Sequence, residues 1–253
     1  MDLPILVVIG ESGVGKSTFL NYIAGLNESD NGCNFKVGES DPTRGLPQET
    51  SARKVKWLGR GREFIAVDTP GLRDPMGTDT DKFRIKDIVT FIKDGLKPRK
   101  IAMFLYLHKA TLTRFNFHYL KMFHYMFGDV FWSHLMLEVT WWPHDTRSSR
   151  RRQRKRKFLP DRATAKENLN RLIRNLTKIP TGISVPVVFI DSIYDPLDYI
   201  DDSETERDKI AQIQRSQVKA LEHKLFDASV IGFQCLTCNY DFIPGRSGGS
   251  MAP

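Results

Sequence analysis

Hydrophobic residues fall along this chain in short uninterrupted runs separated by longer stretches in which they recur every three or four positions. The runs are LPILVVI at 3 to 9, EFIAVD at 63 to 68, KIAMFLYL at 100 to 107, HLMLEVTWW at 134 to 142 and VPVVFID at 185 to 191. Continuous rather than alternating apolarity marks strands buried on both faces. Between them, Ile85, Ile88, Val89, Ile92 and Leu96 form one helical stripe within 81 to 96, and Leu169, Leu172, Ile173 and Leu176 form another within 161 to 176. A charged segment at 204 to 226 reads as a final helix. Strands alternating with helices predict an α/β fold, a doubly wound and mostly parallel sheet flanked by helices, with ligands at the carboxyl ends of the strands. ARKVKWLG at 52 to 59, just before EFIAVD, predicts one antiparallel strand added as a hairpin. The aromatic segment FNFHYLKMFHYMFG at 115 to 128 predicts a core helix, with His118 and His124 solvated or hydrogen-bonded rather than ligating metal.

The loop behind the first run changes the picture from architecture to chemistry. Gly10, Glu11, Ser12, Gly13, Val14, Gly15, Lys16, Ser17 and Thr18 fit the P-loop spacing Gly-x4-Gly-Lys-Ser. Glycines let backbone N–H groups turn inward around an anion, and the helix that follows, KSTFLNYIA up to Gly25, adds its positive end. Lys16 is expected to reach the outer phosphates and the Ser17 hydroxyl to ligate Mg²⁺. A second carboxylate is required at the end of a buried strand. Asp68 stands there, 52 residues after Lys16, and opens Asp-Thr-Pro-Gly, in which the Gly71 N–H is expected to contact the γ-phosphate. From the first switch Thr50 is expected at the metal and γ-phosphate, with Thr43 as its competitor.

Guanine presents two adjacent donors that one carboxylate accepts together. Asp145 in TWWPHD, after the fourth buried run, is the candidate reader, and Asp191-Ser192 stands where a loop closes over the base, with Ser192 as its contact. Two features depart from the commonest GTPase pattern. The residues Trp142-Pro143-His144-Asp145 replace Asn-Lys-x-Asp, leaving Trp141 or Trp142 to supply the aromatic face for the base. The position after Gly71 is Leu72, so nothing obvious orients the attacking water and hydrolysis is expected to be slow. Arg44 and Arg73 lie near enough to the switches to act as electrostatic devices.

The formal charge of +8 resides in RSSRRRQRKRK at 147 to 157, whose eight Lys and Arg leave a neutral remainder (8 − 8 = 0). This basic loop, 146 to 158, suits an anionic membrane surface, an import receptor or nonspecific RNA contact, or a solvated insertion; lacking interleaved aromatics, it argues against specific single-strand nucleic-acid binding. No apolar run approaches the roughly 20 residues of a membrane span, and MDLPIL lacks a basic signal segment, so a cytoplasmic protein is expected. Cys33, Cys235 and Cys238 do not complete a zinc site or a disulfide framework. A G domain over 1–230 and a flexible polar tail over 231–253 complete the expected organisation.

GESGVGKST, VDTPGL and PRKIAMFLYLHKATLTRFNFHYLKMFHYMFGDVF together resemble the immunity-associated nucleotide-binding GTPases (the GIMAP or AIG-type family), relatives of septins and chloroplast Toc GTPases. The resemblance runs over about residues 3 to 230. It implies GTP and GDP as ligands with Mg²⁺, switching through self-association as a homodimer or oligomer across the nucleotide face, and peripheral contact with intracellular membranes. A P-loop ATPase and a catalytically idle nucleotide-binding scaffold are the alternatives.

Overall fold

The computed structural model describes residues 3–26, 35, 49–72, 78–96, 101–110, 117–142, 161–177, 184–192 and 204–227. Six strands form one sheet in the order β2-β3-β1-β4-β5-β6. They are β1 (Ile5–Gly10), β2 (Ser51–Lys56), β3 (Glu63–Asp68), β4 (Ile101–Lys109), β5 (Leu135–Thr140) and β6 (Val187–Phe189). All neighbours pair in parallel except β2, which runs antiparallel to β3 at the edge. The doubly wound sheet with one antiparallel strand is thus as expected. The five apolar runs supply the five parallel strands, and every residue of β1 is buried because helices cover both of its faces.

Alternate residues of β1 enter two separate cores. Ile5, Val7 and Ile9 pack with α2 (Thr78–Thr90), α3 (Phe117–Phe127), α4 (Val130–His134) and α5 (Arg162–Thr177); Leu6 and Val8 pack with α1 (Lys16–Ala24) and α6 (Glu204–Phe226). The aromatic helix is core, as its spacing implied. Phe123 stacks on Phe127 and Phe131, and Phe104 of β4 meets all three. His124 meets Asp129 at 2.9 Å, and His118 is exposed. Among the described residues no helix is long and apolar enough to cross a membrane.

Several local expectations shift. The edge strand ends at Lys56, since Trp57–Gly59 close into a 3₁₀ turn. His134 belongs to α4 rather than to β5, which stops at Thr140. The stripe through 81 to 96 is buried as read, although its last turn widens into a π-helix at Phe91–Gly95. The stripe on α5 holds in part: Ile173 is buried and Leu169 packs against the core, but Leu172 is exposed, and Ala165 and Asn170 are buried beside them. Asn170 tolerates burial because its amide donates to the Lys166 carbonyl at 3.1 Å.

One buried group conflicts with its surroundings. Glu138, in the middle of β5, has no solvent exposure, and neither carboxyl oxygen has a hydrogen-bond partner. Burial pushes its carboxyl well above the ordinary range, so it is held neutral. A carboxyl whose folded pKa exceeds the unfolded value keeps its proton on folding. Its stability contribution is complete below the unfolded pKa and lost as pH rises toward the folded one. Glu138→Met is therefore expected to stabilise the fold, by about 1–3 kcal/mol at neutral pH and by less at pH 4.5. Denaturant melts at the two pH values measure the difference, and a gain that shrinks as pH rises would contradict this account.

Candidate functional site

The phosphate-type loop grows directly from β1. Gly15 caps α1 in the left-handed region at φ 97°, a conformation that brings the chain into the helix without a Cβ penalty. Its carbonyl then accepts from Phe19 N–H at 2.8 Å as the first helical turn closes. Gly13 has open space beside it, and Ser12 and Gly13 are exposed, while Val14 is buried in the core and anchors the loop. Thr140 at the end of β5 fixes it from the other side, its hydroxyl donating to the Val14 carbonyl at 2.9 Å.

The end of β3 is laid against this loop. Gly71 sits so close that a Cβ there would lie 2.6 Å from Ser12 Cα. The next residue completes the contact: Leu72 N–H donates to the Gly10 carbonyl at 3.1 Å, and Ser12 N–H donates to the Leu72 carbonyl at 2.7 Å. A one-rung parallel bridge, Glu11 with Leu72, results. Leu72 is fully buried, packed into the core beneath the loop.

Four side chains converge at this junction. Ser17 Oγ donates to Asp68 Oδ2 at 2.7 Å, and Thr69 beside it is locked by a bond to the Val8 carbonyl at 2.7 Å. Asp68 Oδ1 is buried without a hydrogen-bond partner. Burial raises the Asp68 pKa, opposed by the Ser17 hydrogen bond, the Lys16 charge and the Thr69 N–H. A hydroxyl and a carboxylate in contact, with a second carboxylate oxygen left unsatisfied, are a hard-oxygen donor set that fits Mg²⁺. Lys16 is buried as well, and its ammonium donates to the Gly10 and Glu11 carbonyls at 3.3 and 3.0 Å. Burial brings its pKa down to about 8; Arg84 pushes the same way, while Asp68 and Glu11 resist.

Of the residues picked from sequence, the structure brings Gly10 to Thr18 together with Asp68 and Gly71. Thr50 lies one residue before the rung that pairs Ser51 with Asp68, but its backbone N–H, at 2.9 Å, and its hydroxyl both donate to Asp87 Oδ2 of α2. Ser192 follows β6, where Gln214 of α6 holds Asp191 by accepting from its N–H at 3.2 Å and donating to its carbonyl at 2.7 Å. The two tryptophans part company: Trp142 packs on Phe189 at 4.6 Å in the core, so it cannot be the aromatic face, whereas Trp141 is about half exposed. Asp145, Thr43, Arg44, Arg73, the three cysteines, the basic loop and the tail lie outside the described residues.

Arg84 is a site residue that sequence reading missed. It lies on α2, and its Nη1 donates to the Gly71 carbonyl at 2.6 Å, which ties the helix to the strand end and sets a second cation near Lys16. Asp87 and Thr140 were missed too. Thr140 opens TWWPHD but carried no assigned role there, and Arg84 and Asp87 belong to no motif; only their positions one turn apart on one helical face could have drawn attention to them.

A phosphate ligand would return to Lys16 the stabilisation that burial removes. Free Lys16 loses its proton above about 8, while a phosphate-bound ammonium keeps it to higher pH, so binding takes up a proton in that window. Affinity for a nucleoside diphosphate is accordingly expected to be level below pH 7 and to fall as pH rises past about 8, by up to about tenfold per unit. Isothermal titration in buffers of different ionisation enthalpy reads the proton directly. A flat profile to pH 10, or one unchanged by Lys16→Met, would contradict the assignment.

Comparison with known proteins agrees with this geometry. Residues 5–116, less than half of the chain, match the family model described as 50S ribosome-binding GTPase. GTPase Der of Thermosynechococcus vestitus is 38% identical over 72 residues, 28% of this chain and 14% of that protein. GTPase Der of Moorella thermoacetica is 28% identical over 113 residues, 45% of this chain and 22% of that one. The chain thus spans no more than about a fifth of the length of these relatives. Among solved structures, Toc33 from Arabidopsis thaliana with GDP and Mg²⁺ superposes with a TM-score of 0.55 at 16% identity, over 90% of this chain and 86% of that one. Toc33 with Mg²⁺ and GMPPNP gives 0.56 at 17%, over 87% and 86%. Sequence match and architecture therefore agree: the chain carries the fold of the P-loop GTPases.

Proposed function

We propose that this chain is a guanine-nucleotide switch that hydrolyses GTP slowly and is stimulated by nucleotide-dependent self-association. The observation that carries the reading is the junction of Lys16, Ser17, Asp68 and Gly71 at adjoining strand ends. Backbone N–H groups of Gly13 to Lys16 and the start of α1 would bind the β-phosphate, and Lys16 the β- and γ-phosphates. Ser17, Asp68 and, once released from Asp87, Thr50 would hold Mg²⁺, which neutralises charge on the phosphates. Gly71 N–H would meet the γ-phosphate, with Arg84 holding its carbonyl from behind. Asp145 and Ser192 would read and cover the base.

Slow turnover follows from Leu72. In the place where many GTPases carry a water-orienting side chain stands a fully buried leucine with both backbone groups bonded to the P-loop. A partner must then supply order or charge. The structural neighbours include chloroplast translocon components described by the statement that dimerisation is important for their GTPase activity; a second copy of this chain is the corresponding candidate here. We assign the G domain to residues 1–230, and the GIMAP or AIG-type resemblance, with membrane contact through the basic loop, remains part of this proposal. The burial of Leu72 also favours a second reading, a nucleotide-binding scaffold without turnover.

Mg²⁺-dependent binding and turnover of GTP against ATP, over a range of protein concentrations and with Asp145→Ala alongside, separates these readings. Selective GTP binding lost in the variant, with turnover per molecule rising with concentration, is the expected result. Binding without turnover would leave the scaffold; equal use of ATP, unaffected by Asp145→Ala, would mean an ATPase. Asp87→Ala is expected to raise affinity for a non-hydrolysable GTP analogue relative to GDP severalfold, as freeing Thr50 no longer costs two hydrogen bonds. An unchanged ratio would deny Thr50 its role.

A further inference from the structure

Trp141 combines features that a surface tryptophan has no structural need for. It follows β5 directly in the left-handed region, at φ 58°, where bulky side chains are rarely found. The residue before it is pinned twice: the Thr140 hydroxyl bonds the P-loop at Val14, and its carbonyl accepts from Ala110 N–H at 2.9 Å. The residue after it is locked into the core against Phe189. Between these anchors the backbone turns the indole outward, with Nε1 only 3.8 Å from the place a Cβ on Gly15 would take. Lys109, the β4 partner of Thr140, lays its ammonium 4.1 Å from the ring centroid, yet Trp141 remains 47% exposed. A cation thus lies over the ring, which stays about half exposed and sets its Nε1 beside the start of α1.

We propose that Trp141, backed by Lys109, is the stacking platform for the purine of a bound nucleoside di- or triphosphate, doing the work that a lysine stem does in Asn-Lys-x-Asp. The inference rests on the nucleotide-binding reading above and deepens it. A large aromatic plane favours purines over pyrimidines by contact area and does not distinguish guanine from adenine, since both offer similar π-faces. Selectivity is thereby divided. The purine preference belongs to Trp141, and the guanine preference to hydrogen bonds made elsewhere in the site.

The division can be measured by equilibrium dialysis of radiolabelled GDP with Mg²⁺, with ADP and UDP as competitors. Trp141→Asn suits a left-handed position and removes the ring, and Trp141→Phe restores one. The expected result is a loss of GDP affinity of about 5- to 100-fold in Trp141→Asn, recovery of most of it in Trp141→Phe, a fall in both the GDP-to-UDP and ADP-to-UDP ratios and retention of the GDP-to-ADP ratio. Fluorescence gives an independent reading, because Trp57, Trp132 and Trp142 are buried and Trp141 alone of the four tryptophans is substantially exposed. GDP should quench the acrylamide-accessible emission and shield it, and Trp141→Asn should abolish that signal. Wild-type GDP binding that leaves this emission unchanged, or Trp141→Asn binding GDP like the wild type, would overturn the stacking role and leave the nucleotide reading standing. No GDP binding by the wild type would overturn both.

Discussion

Everything at this site depends on the close approach of Gly71 to Ser12. Two strands of a parallel sheet end side by side, but their loops would normally diverge into separate crossovers. Here the chain leaving β3 is drawn across the loop leaving β1 by two backbone hydrogen bonds through Leu72 and by burial of the Leu72 side chain beneath them. Any Cβ at Gly71 would collide with Ser12 backbone, so the residue type is dictated by the contact rather than by turn geometry. This contact places Asp68 against Ser17 and presents the Gly71 N–H to whatever the loop holds.

The same closeness sets the electrostatics. Lys16 and Asp68 are both buried, and burial disfavours the charge on each; Asp68 and Glu11 restore part of the loss at Lys16, while the Ser17 hydrogen bond and the Lys16 charge restore part of it at Asp68. Backbone carbonyls occupy the Lys16 ammonium, and the Ser17 hydroxyl engages one oxygen of Asp68, leaving the other unsatisfied. A site so arranged holds an unfavourable charge balance that an anion with a divalent cation would correct. Preorganisation of this kind costs stability in the free protein and is returned as binding.

Much of this was legible in the sequence because it follows from local rules. Continuous apolar runs gave the five parallel strands, and glycine spacing after the first run gave the loop, since few other functions require three glycines between a buried strand and a helix. What stayed hidden depends on contacts between distant segments. Arg84 and Asp87 sit on the polar side of an amphipathic helix, where charged residues are the ordinary expectation, and only the packing of α2 against Gly71 and Thr50 reveals their partners. Glu138 was passed over inside an apolar run because periodicity does not register one buried carboxyl. The exposure of Leu172 on α5 has a similar cause: a polar Asn170 satisfied within its own helix takes a buried position that an apolar stripe would not assign to it.

The separation of Trp141 from Trp142 shows how strain is placed to serve a site. Two adjacent aromatics on a continuing strand would face opposite sides of the sheet, one in each core. The left-handed turn at Trp141 breaks that alternation at a cost of order 1–3 kcal/mol, which persists only because Thr140 and Trp142 over-determine the backbone on either side. The Thr140 latch reaches the P-loop itself, so a single hydrogen bond joins the end of β5, and the indole that follows it, to the phosphate-type loop. On the nucleotide reading proposed above, that bond would tie the base end of the site to the phosphate end without passing through the switch segments.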